Sequence, residues 1–338
     1  MRKQKIALVG VGGISQIVRI PTLKKNDDVE LVALCDIDEA KVSFIADKYD
    51  VPHVYFDIQN LLKNEEIDGI FICTPNNLHY PMALASLEEG IATLVEKPVA
   101  LNAIQAKKLE DKAAEKKATF VIGMNNRFRE DAVILKEFLQ KNELGNAFYV
   151  KTGWLKRWNR HPQLNWLSDV KISGGGVLMD LGIQLIDLAL WLVDKPKVKN
   201  VRAYCYNIFT KSKAEDSALV VLETINNIAI TVEVSWRLHL ENDLIYTHVF
   251  GTEGGALLNP LRLNKEMHGN LVNVTPMQSN TNIDMFKKAF ENEIQNFIDV
   301  IMGKAQPATP AADGVYIMKI IDAIYKSSKD GCQIELEN

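Results

Sequence analysis

The chain has 338 residues, 47% of them hydrophobic and 24% charged, which is long enough for two cores and too apolar for a disordered or collagenous protein. Its 39 basic and 43 acidic residues leave a formal net charge of −4, which argues against a nucleic-acid partner or an anionic membrane surface. The longest apolar run, residues 181–193, is interrupted by Gln184 and Asp187 and falls short of the roughly 20 apolar residues that span a bilayer. The basic start, Met1-Arg2-Lys3-Gln4-Lys5, leads into an apolar stretch that stops at Gly10, so no secretory signal is expected. Cys35, Cys73, Cys205 and Cys332 are scattered without a C-x-x-C pair. Reduced thiols in the cytoplasm are therefore expected, with neither a disulfide framework nor a zinc site.

The first 125 residues alternate two periods. Short apolar runs at 6–9, 31–35, 69–73, 92–95 and 119–122 read as buried strands, with helical patterns at 14–25, 39–48, 79–89 and 103–117 between them. Continuous hydrophobicity in the strands implies burial on both faces, hence βαβ crossovers and a parallel sheet. Beyond residue 125 the runs lengthen and fill with Val, Tyr, Trp and Thr, at 147–155, 198–208, 218–224, 228–236 and 244–250. A strongly apolar helix at 177–193 is set among them, and Asn226-Asn227 can take the positive φ of a hairpin turn. Two further helices, near 284–302 and 311–326, follow. The expected architecture is an α/β Rossmann domain over residues 1–123, then an α+β domain with a large, mainly antiparallel sheet over 124–338.

Gly10-Val11-Gly12-Gly13-Ile14-Ser15 follows the first strand and opens the first helix. The first glycine allows the tight turn, and the second lets a pyrophosphate approach the backbone near the positive end of the helix. The third slot, usually Gly or Ala, holds Ser15, which is still small. Asp36 ends the second strand 26 residues after Gly10. A carboxylate there accepts from both ribose hydroxyls and repels a 2′-phosphate. Ile37 follows it, with no adjacent arginine to receive that phosphate. NAD is therefore favoured over NADP.

Glu96-Lys97-Pro98, at the end of the fifth strand, resembles the signature of the glucose–fructose oxidoreductase/inositol dehydrogenase (Gfo/Idh/MocA) family. Further segments resemble that family in order: Gly10–Ser15, Thr74-Pro75-Asn76 with His79, Gly123-Met124-Asn125-Asn126-Arg127-Phe128, Ser173-Gly174-Gly175-Gly176 leading to Asp180, and Gly251-Thr252-Glu253-Gly254. The resemblance covers essentially the whole chain. It implies that Lys97 is the residue closest to catalysis. It also implies that Thr74, Pro75, Asn76, His79 and Glu96 border the cofactor, and that Asn125, Arg127 and Trp166 lie near the nicotinamide. Gly10, Gly12, Gly13, Ile14, Asp36, Ile37 and Lys97 complete the expected cofactor contacts.

A lysine at a strand end is usually a solvated surface residue; the flanking Glu96 and Pro98, with the resemblance, point instead to a catalytic Lys97. Open α/β sheets hold ligands at the carboxyl ends of their strands. Oxidising a secondary alcohol removes a hydroxyl proton as well as a hydride, and a lysine beside the hydroxyl stabilises the developing alkoxide or relays the proton. Pro98 restricts Lys97 to an extended conformation.

Asp180, Gln184 and Asp187 are spaced to share one face of the apolar helix. A carboxylate there needs a partner. Asp180 is expected to meet Lys97 or a substrate hydroxyl, and Asp187 to form an internal salt bridge. Lys97, Asp180 and Gln184 are the expected substrate contacts, and Lys97 and Asp180 the expected catalytic pair. In dehydrogenases of the family a histidine is common four residues after this aspartate; here the residue is Gln184, an amide that does not titrate. Three readings remain. Lys97 and Asp180 handle the proton together, His161 reaches in from the loop at 157–166, or the protein binds its ligands and turns over poorly.

The expected function is NAD(P)-dependent hydride transfer between nicotinamide and a secondary hydroxyl or ketone of a sugar, cyclitol or nucleotide sugar. Two alternatives stay open: a catalytically weak NAD- or sugar-binding regulator, and an NAD-assisted glycosidase-type enzyme without net redox change. Trp154 and Trp158 are candidates for stacking on a sugar ring. No metal is expected, because no histidine has a second ligand at metal-binding spacing. A homodimer or homotetramer is expected, since the second sheet needs its other face covered and relatives pair through it.

Overall fold

A computed structural model describes residues 2–158, 165–209, 212–277 and 282–336 of the chain, which divides into two compact units. Unit 1 comprises Met1–Asn125 with Phe286–Met318; unit 2 comprises Asn126–Met285 with Lys319–Asn338.

The sheet of unit 1 has six parallel strands: β1 (Gln4–Val9), β2 (Val29–Cys35), β3 (His53–Tyr55), β4 (Gly69–Ile72), β5 (Ala92–Glu96) and β6 (Phe120–Gly123). Their spatial order is β3-β2-β1-β4-β5-β6. The helices are α1 (Ile20–Lys25), entered through a π turn at Ser15–Arg19, then α2 (Glu39–Lys48), α3 (Ile58–Asn64), α4 (Asn76–Glu88) and α5 (Ala103–Lys116). Successive residues of β1 supply opposite faces. Ile6 and Leu8 pack with Phe71, Leu94 and Val121, whereas Ala7 and Val9 pack with Ala33 and Ile70. That two-sided burial is why the strand reads as an unbroken apolar run. Asp38, Asp57 and Asn102 cap α2, α3 and α5 through their side chains, which fixes where each helix begins. The strand order reverses between β1 and β4, placing a ligand crevice at the carboxyl ends of those strands.

Two elements of unit 1 were not expected. β3 and α3 have three and seven residues, too few to show a period. The helix expected from residue 79 begins at Asn76 because the Pro75 carbonyl already accepts from the Leu78 N–H (2.9 Å).

Unit 2 contains α6 (Glu130–Gln140), β7 (Ala147–Arg157), α7 (Val170–Ser173) and α8 (Ile183–Leu192), the last entered through a π turn at Leu178–Gly182. Then come β8 (Val198–Tyr206), β9 (Ser217–Thr224), β10 (Ala229–Leu238), β11 (Leu244–Gly251), β12 (Gly254–Leu258), β13 (Arg262–Met267) and β14 (Asn270–Asn273). The chain continues through α9 (Asn282–Ile301) and α10 (Ala311–Asp330) to β15 (Ile334–Glu335). The nine-stranded sheet runs β14-β13-β12-β11-β7-β10-β9-β8-β15. Its central pair, β7 and β10, is parallel and the other pairs are antiparallel. Asn227 takes φ +59° in the hairpin between β9 and β10. α8 packs on β7 and β10. The stretch Val170–Leu192 is long and apolar enough to cross a bilayer by composition, a longer span than the 181–193 run suggested; its most apolar part is mostly buried, so its apolarity serves the core.

The division expected at residue 123 differs from the observed one in the C-terminal segment. Ile294, Phe297 and Ile298 of α9 are buried against Ile6, Phe71 and Leu94, so residues 286–318 pack in unit 1 rather than with the second domain. The Phe297 ring meets Phe71 edge-on at 5.1 Å between centroids. A helix 160 residues downstream of β6 leaves no local mark of the core it completes.

Candidate active site

Gly10 ends β1 with φ +91°, and a Cβ there would stand 2.5 Å from the Cys73 carbonyl oxygen, so both backbone and space demand glycine. The Ser15 hydroxyl donates to the Gly10 carbonyl (2.6 Å), which explains a serine in the third slot. Gly12 and Gly13 have a different reason for being glycine. No atom lies within 4 Å of where their Cβ atoms would be, so the space beside the turn is open.

Asp36, just past β2, accepts from the Val11 N–H (2.9 Å) through Oδ2 and from the Asp38 N–H (3.0 Å) through Oδ1. Its carboxylate is thereby pinned to the glycine turn. Lys41 Nζ stands 3.1 Å from Asp36 Oδ1, a cation the sequence reading overlooked because it lies one helical turn into α2. Ile37 is 83% exposed, an apolar surface beside the carboxylate. Ile14 is half-buried at the start of the first helix. At the end of β4, Thr74 Oγ1 is buried without a hydrogen-bond partner among the described residues. An open glycine turn, a pinned carboxylate and an orphaned hydroxyl along the strand ends fit an adenine dinucleotide.

Three residues expected at the cofactor are held by other groups of the protein. His79 is 1% exposed. Its Nδ1 lies 2.6 Å from the Pro98 carbonyl oxygen and its Nε2 2.8 Å from that of Thr74, so the ring braces the β4 and β5 turns against each other. Burial holds its pKa below the usual histidine value. Glu96 accepts from Arg19 Nε (3.1 Å) and Nη2 (2.5 Å), and Arg19 Nη1 also stands 2.6 Å from Glu293 Oε2. This buried guanidinium lies over the Phe71 and Phe290 rings, at 5.6 and 4.9 Å. Burial, with the Glu96 carboxylate nearby, pushes Glu293 up to about 7 against the opposing pull of Arg19. Gly123 keeps room for the cluster, since its Cβ would sit 3.0 Å from Glu96 Oε2. The cluster anchors the end of β5, and half-buried Lys97 is the next residue. Pro75 forms the turn into α4, Asn76 is buried on its first turn, and Asn125 is buried just past β6.

Arg127, the third, belongs to unit 2. Its Nε donates to Asp187 Oδ2 (2.8 Å) and its Nη2 to Asp187 Oδ1 (2.5 Å). The structure therefore gives Asp187 the internal salt bridge expected of it and makes Arg127 its partner.

Asp180 is placed by residues that sequence reasoning missed. The Glu215 carboxylate accepts from the N–H groups of Gly176 (2.8 Å) and Leu178 (3.0 Å) and from the Tyr325 hydroxyl (2.9 Å). It thus satisfies donors at the start of the helix that carries Asp180. A Cβ on Gly175 would collide with Tyr325, and one on Gly176 with the Glu215 backbone, which is why these glycines precede the aspartate. Trp236 Nε1 donates to Asp180 Oδ2 (2.9 Å) and so sets the direction of the carboxylate. Gln184 Nε2 donates to the Asp180 backbone carbonyl (3.1 Å), which folds the amide back on its own helix. Trp154 and Trp166 are half-buried, and His161 lies outside the described residues. Among the described residues, no group of three or more His, Cys, Asp or Glu side chains could hold a metal.

A parallel sheet with its switch point beside a glycine turn, and a carboxylate closing the second strand, defines a dinucleotide-dependent enzyme of the Rossmann class. The chain belongs to the Gfo/Idh/MocA oxidoreductase family. The family's NAD-binding Rossmann fold matches residues 4–124 and its C-terminal alpha/beta domain matches residues 136–336. The protein is accordingly an NAD(P)-dependent oxidoreductase. It is similar to D-glucoside 3-dehydrogenase of Escherichia coli (28% identity; 98% of this chain, 97% of that one). It is also similar to myo-inositol 2-dehydrogenase of Thermotoga maritima (23% identity; 98% of each chain). The crystal structure of GenD2 from gentamicin A biosynthesis, in complex with NAD, has the same fold, with a TM-score of 0.87 at 22% identity over 100% of this chain and 97% of that one.

Proposed function

We propose that the protein oxidises a secondary hydroxyl of a sugar, cyclitol or nucleotide sugar with NAD in preference to NADP, or reduces the matching ketone. The carrying observation is Lys97, half-buried directly after the clamped end of β5. Gly10, Gly12, Gly13, Ile14, Asp36, Ile37, Thr74, Pro75 and Asn76 would hold the cofactor along the strand ends, with Asn125 and Trp166 towards its nicotinamide. The bound cofactor supplies a two-electron acceptor at nicotinamide C4. Lys97 holds the reacting hydroxyl and takes up or relays its proton. Asp180, steadied by Trp236, accepts from a neighbouring hydroxyl, and the Gln184 amide oxygen orients another. With no titrating group at Gln184, proton movement rests on Lys97 and Asp180.

The test is a fluorescence titration with NADH and NADPH, then a sugar and cyclitol panel followed at 340 nm with wild type and Lys97→Ala. Tighter NADH binding and a Lys97→Ala loss of about 10²–10⁴-fold in kcat are expected. NADH binding without turnover of any substrate would instead favour a binding protein, the role that Gln184 leaves open.

We also propose a homodimer or homotetramer formed through the open face of the nine-stranded sheet. Tyr204, Leu219, Val221 and Phe250 are exposed there, and Tyr149 stacks on Phe250 at 5.5 Å. Light scattering on wild type and Val221→Glu checks this, with dissociation expected in the variant. A cytoplasmic location agrees with cysteines that are free in the structure.

A further inference from the structure

Three buried or half-buried arginines among the described residues carry carboxylates, while half-buried Arg202 meets the Tyr204 hydroxyl and ring instead. Arg19 has Glu96 and Glu293, Arg127 has Asp187, and Arg129 has Asp131. Arg237 departs from that pattern. Its guanidinium lies between two aromatic rings, 5.3 Å from the Trp158 centroid and 5.7 Å from that of Phe209. Its Nε is buried and meets no acceptor among the described residues. Carboxylates on adjoining segments are engaged elsewhere: Asp216 accepts from the Ile208 and Phe209 N–H groups, and Asp243 from the Arg157 N–H.

Aromatic faces stabilise the charge of a guanidinium but accept none of its N–H bonds, which lie in the plane of the group. The sandwich therefore fixes that plane and leaves in-plane donors to be satisfied by a ligand. A hydroxyl would meet one donor and leave the charge uncompensated, whereas a carboxylate or phosphate meets two donors and the charge together. The position is also informative. Arg237 follows Trp236, the donor to Asp180, and the β10–β7 register shifts between Ser235 and Leu238. Such irregularities re-aim side chains beside active sites. Trp158 is 42% exposed, which leaves ring surface for a sugar beside the cation.

We propose that Arg237, held between Trp158 and Phe209, receives an anionic group on the substrate, so that the sugar oxidised is a carboxylated or phosphorylated one. This rests on the dehydrogenase reading above and names its substrate class. Initial rates would be measured with NAD and glucose, glucuronate, glucose 6-phosphate or UDP-glucose, using wild type, Arg237→Gln and Arg237→Lys. The quantity read is the ratio of kcat/KM for each anionic sugar to that for glucose, and the panel separates a carboxylate from a phosphate source. A wild-type ratio of about 30–100 is expected for at least one anionic sugar, falling towards one in Arg237→Gln mainly through KM. Arg237→Lys, which keeps the charge without the planar fork, should lie between them and carries the comparison if the glutamine variant does not fold. Equal use of glucose and every anionic sugar, or a parallel loss of both in the variants, overturns the proposal. If NADH binds but no sugar is oxidised, the dehydrogenase reading fails and calorimetric titration of the NADH complex with the same anions decides the site. Arg237-dependent binding upholds it, and absent or unaltered binding overturns it.

Discussion

The two units hold their candidate site residues by opposite means. Unit 1 uses the main chain: a glycine turn at 10–13, strand ends, and a carboxylate pinned by a backbone N–H. Unit 2 uses side chains held by other side chains, with Trp236 on Asp180, Arg127 on Asp187, and Tyr325 with two N–H groups on Glu215. The contrast follows from the ligands. A dinucleotide presents the same phosphates and riboses to any member of the class, so one backbone shape serves. A unit that recognises one arrangement of hydroxyls, as proposed for unit 2, needs side chains of fixed direction.

The sharpest test of this contrast lies where unit 1 does depend on remote side chains. Phe297→Ala empties a buried ring site against Phe71 and should cost about 3–5 kcal/mol, read from urea unfolding. A loss below about 1 kcal/mol would mean that the returning helix is not part of that core. In unit 2, Trp236→Phe keeps a smaller aromatic ring and removes the hydrogen bond to a charged group, worth about 1.5–3 kcal/mol. The expected result is a fall in kcat of about 10–100-fold with little change in KM; unaltered kcat would show that Asp180 needs no such support.

Glu293 gives a pH-dependent test. Its pKa is raised by burial to about 7, above an ordinary carboxyl near 4.3, so folding takes up a proton between those values. The stabilising contribution is full below the ordinary carboxyl range and is lost as pH rises through about 7, at no more than about 1.4 kcal/mol per pH unit. Urea midpoints from pH 5 to 8 should show this slope in wild type and a flatter one in Glu293→Gln. The smallest effect is expected at Lys41, whose partly exposed pair with Asp36 is worth about 0.2–1 kcal/mol. Lys41 tempers the charge that repels a 2′-phosphate, so Lys41→Ala should weaken NADPH binding a few-fold more than NADH binding. Equal losses would remove it from cofactor choice.

Much of unit 1 was legible in the sequence because its rules are local. A strand buried on both faces is an apolar run, a cap is one side chain on the next turn, and Gly10 answers to a φ of +91° at its own residue. Unit 2 was legible in its strands and its apolar helix, but its site was not. The spacing of Asp180, Gln184 and Asp187 put them on one helix face, and the fold supplies partners that the spacing does not name: the Trp236 indole, the helix backbone and the Arg127 guanidinium. Trp236, Glu215 and Tyr325 carry no pattern around Asp180, because they come from β10, from the segment before β9 and from α10. The carbonyls of Pro98 and Thr74 that hold His79, and the Arg19 that holds Glu96, likewise left no mark in the local sequence. By itself, then, the sequence determined the Rossmann unit, the strand-rich second unit, the family and the positions of Gly10, Asp36, Lys97 and Asp180. Only the tertiary structure decided which carboxylates are paired and that the buried Arg237 Nε meets no acceptor among the described residues, because a buried charge is settled by neighbours that the fold brings from distant parts of the chain.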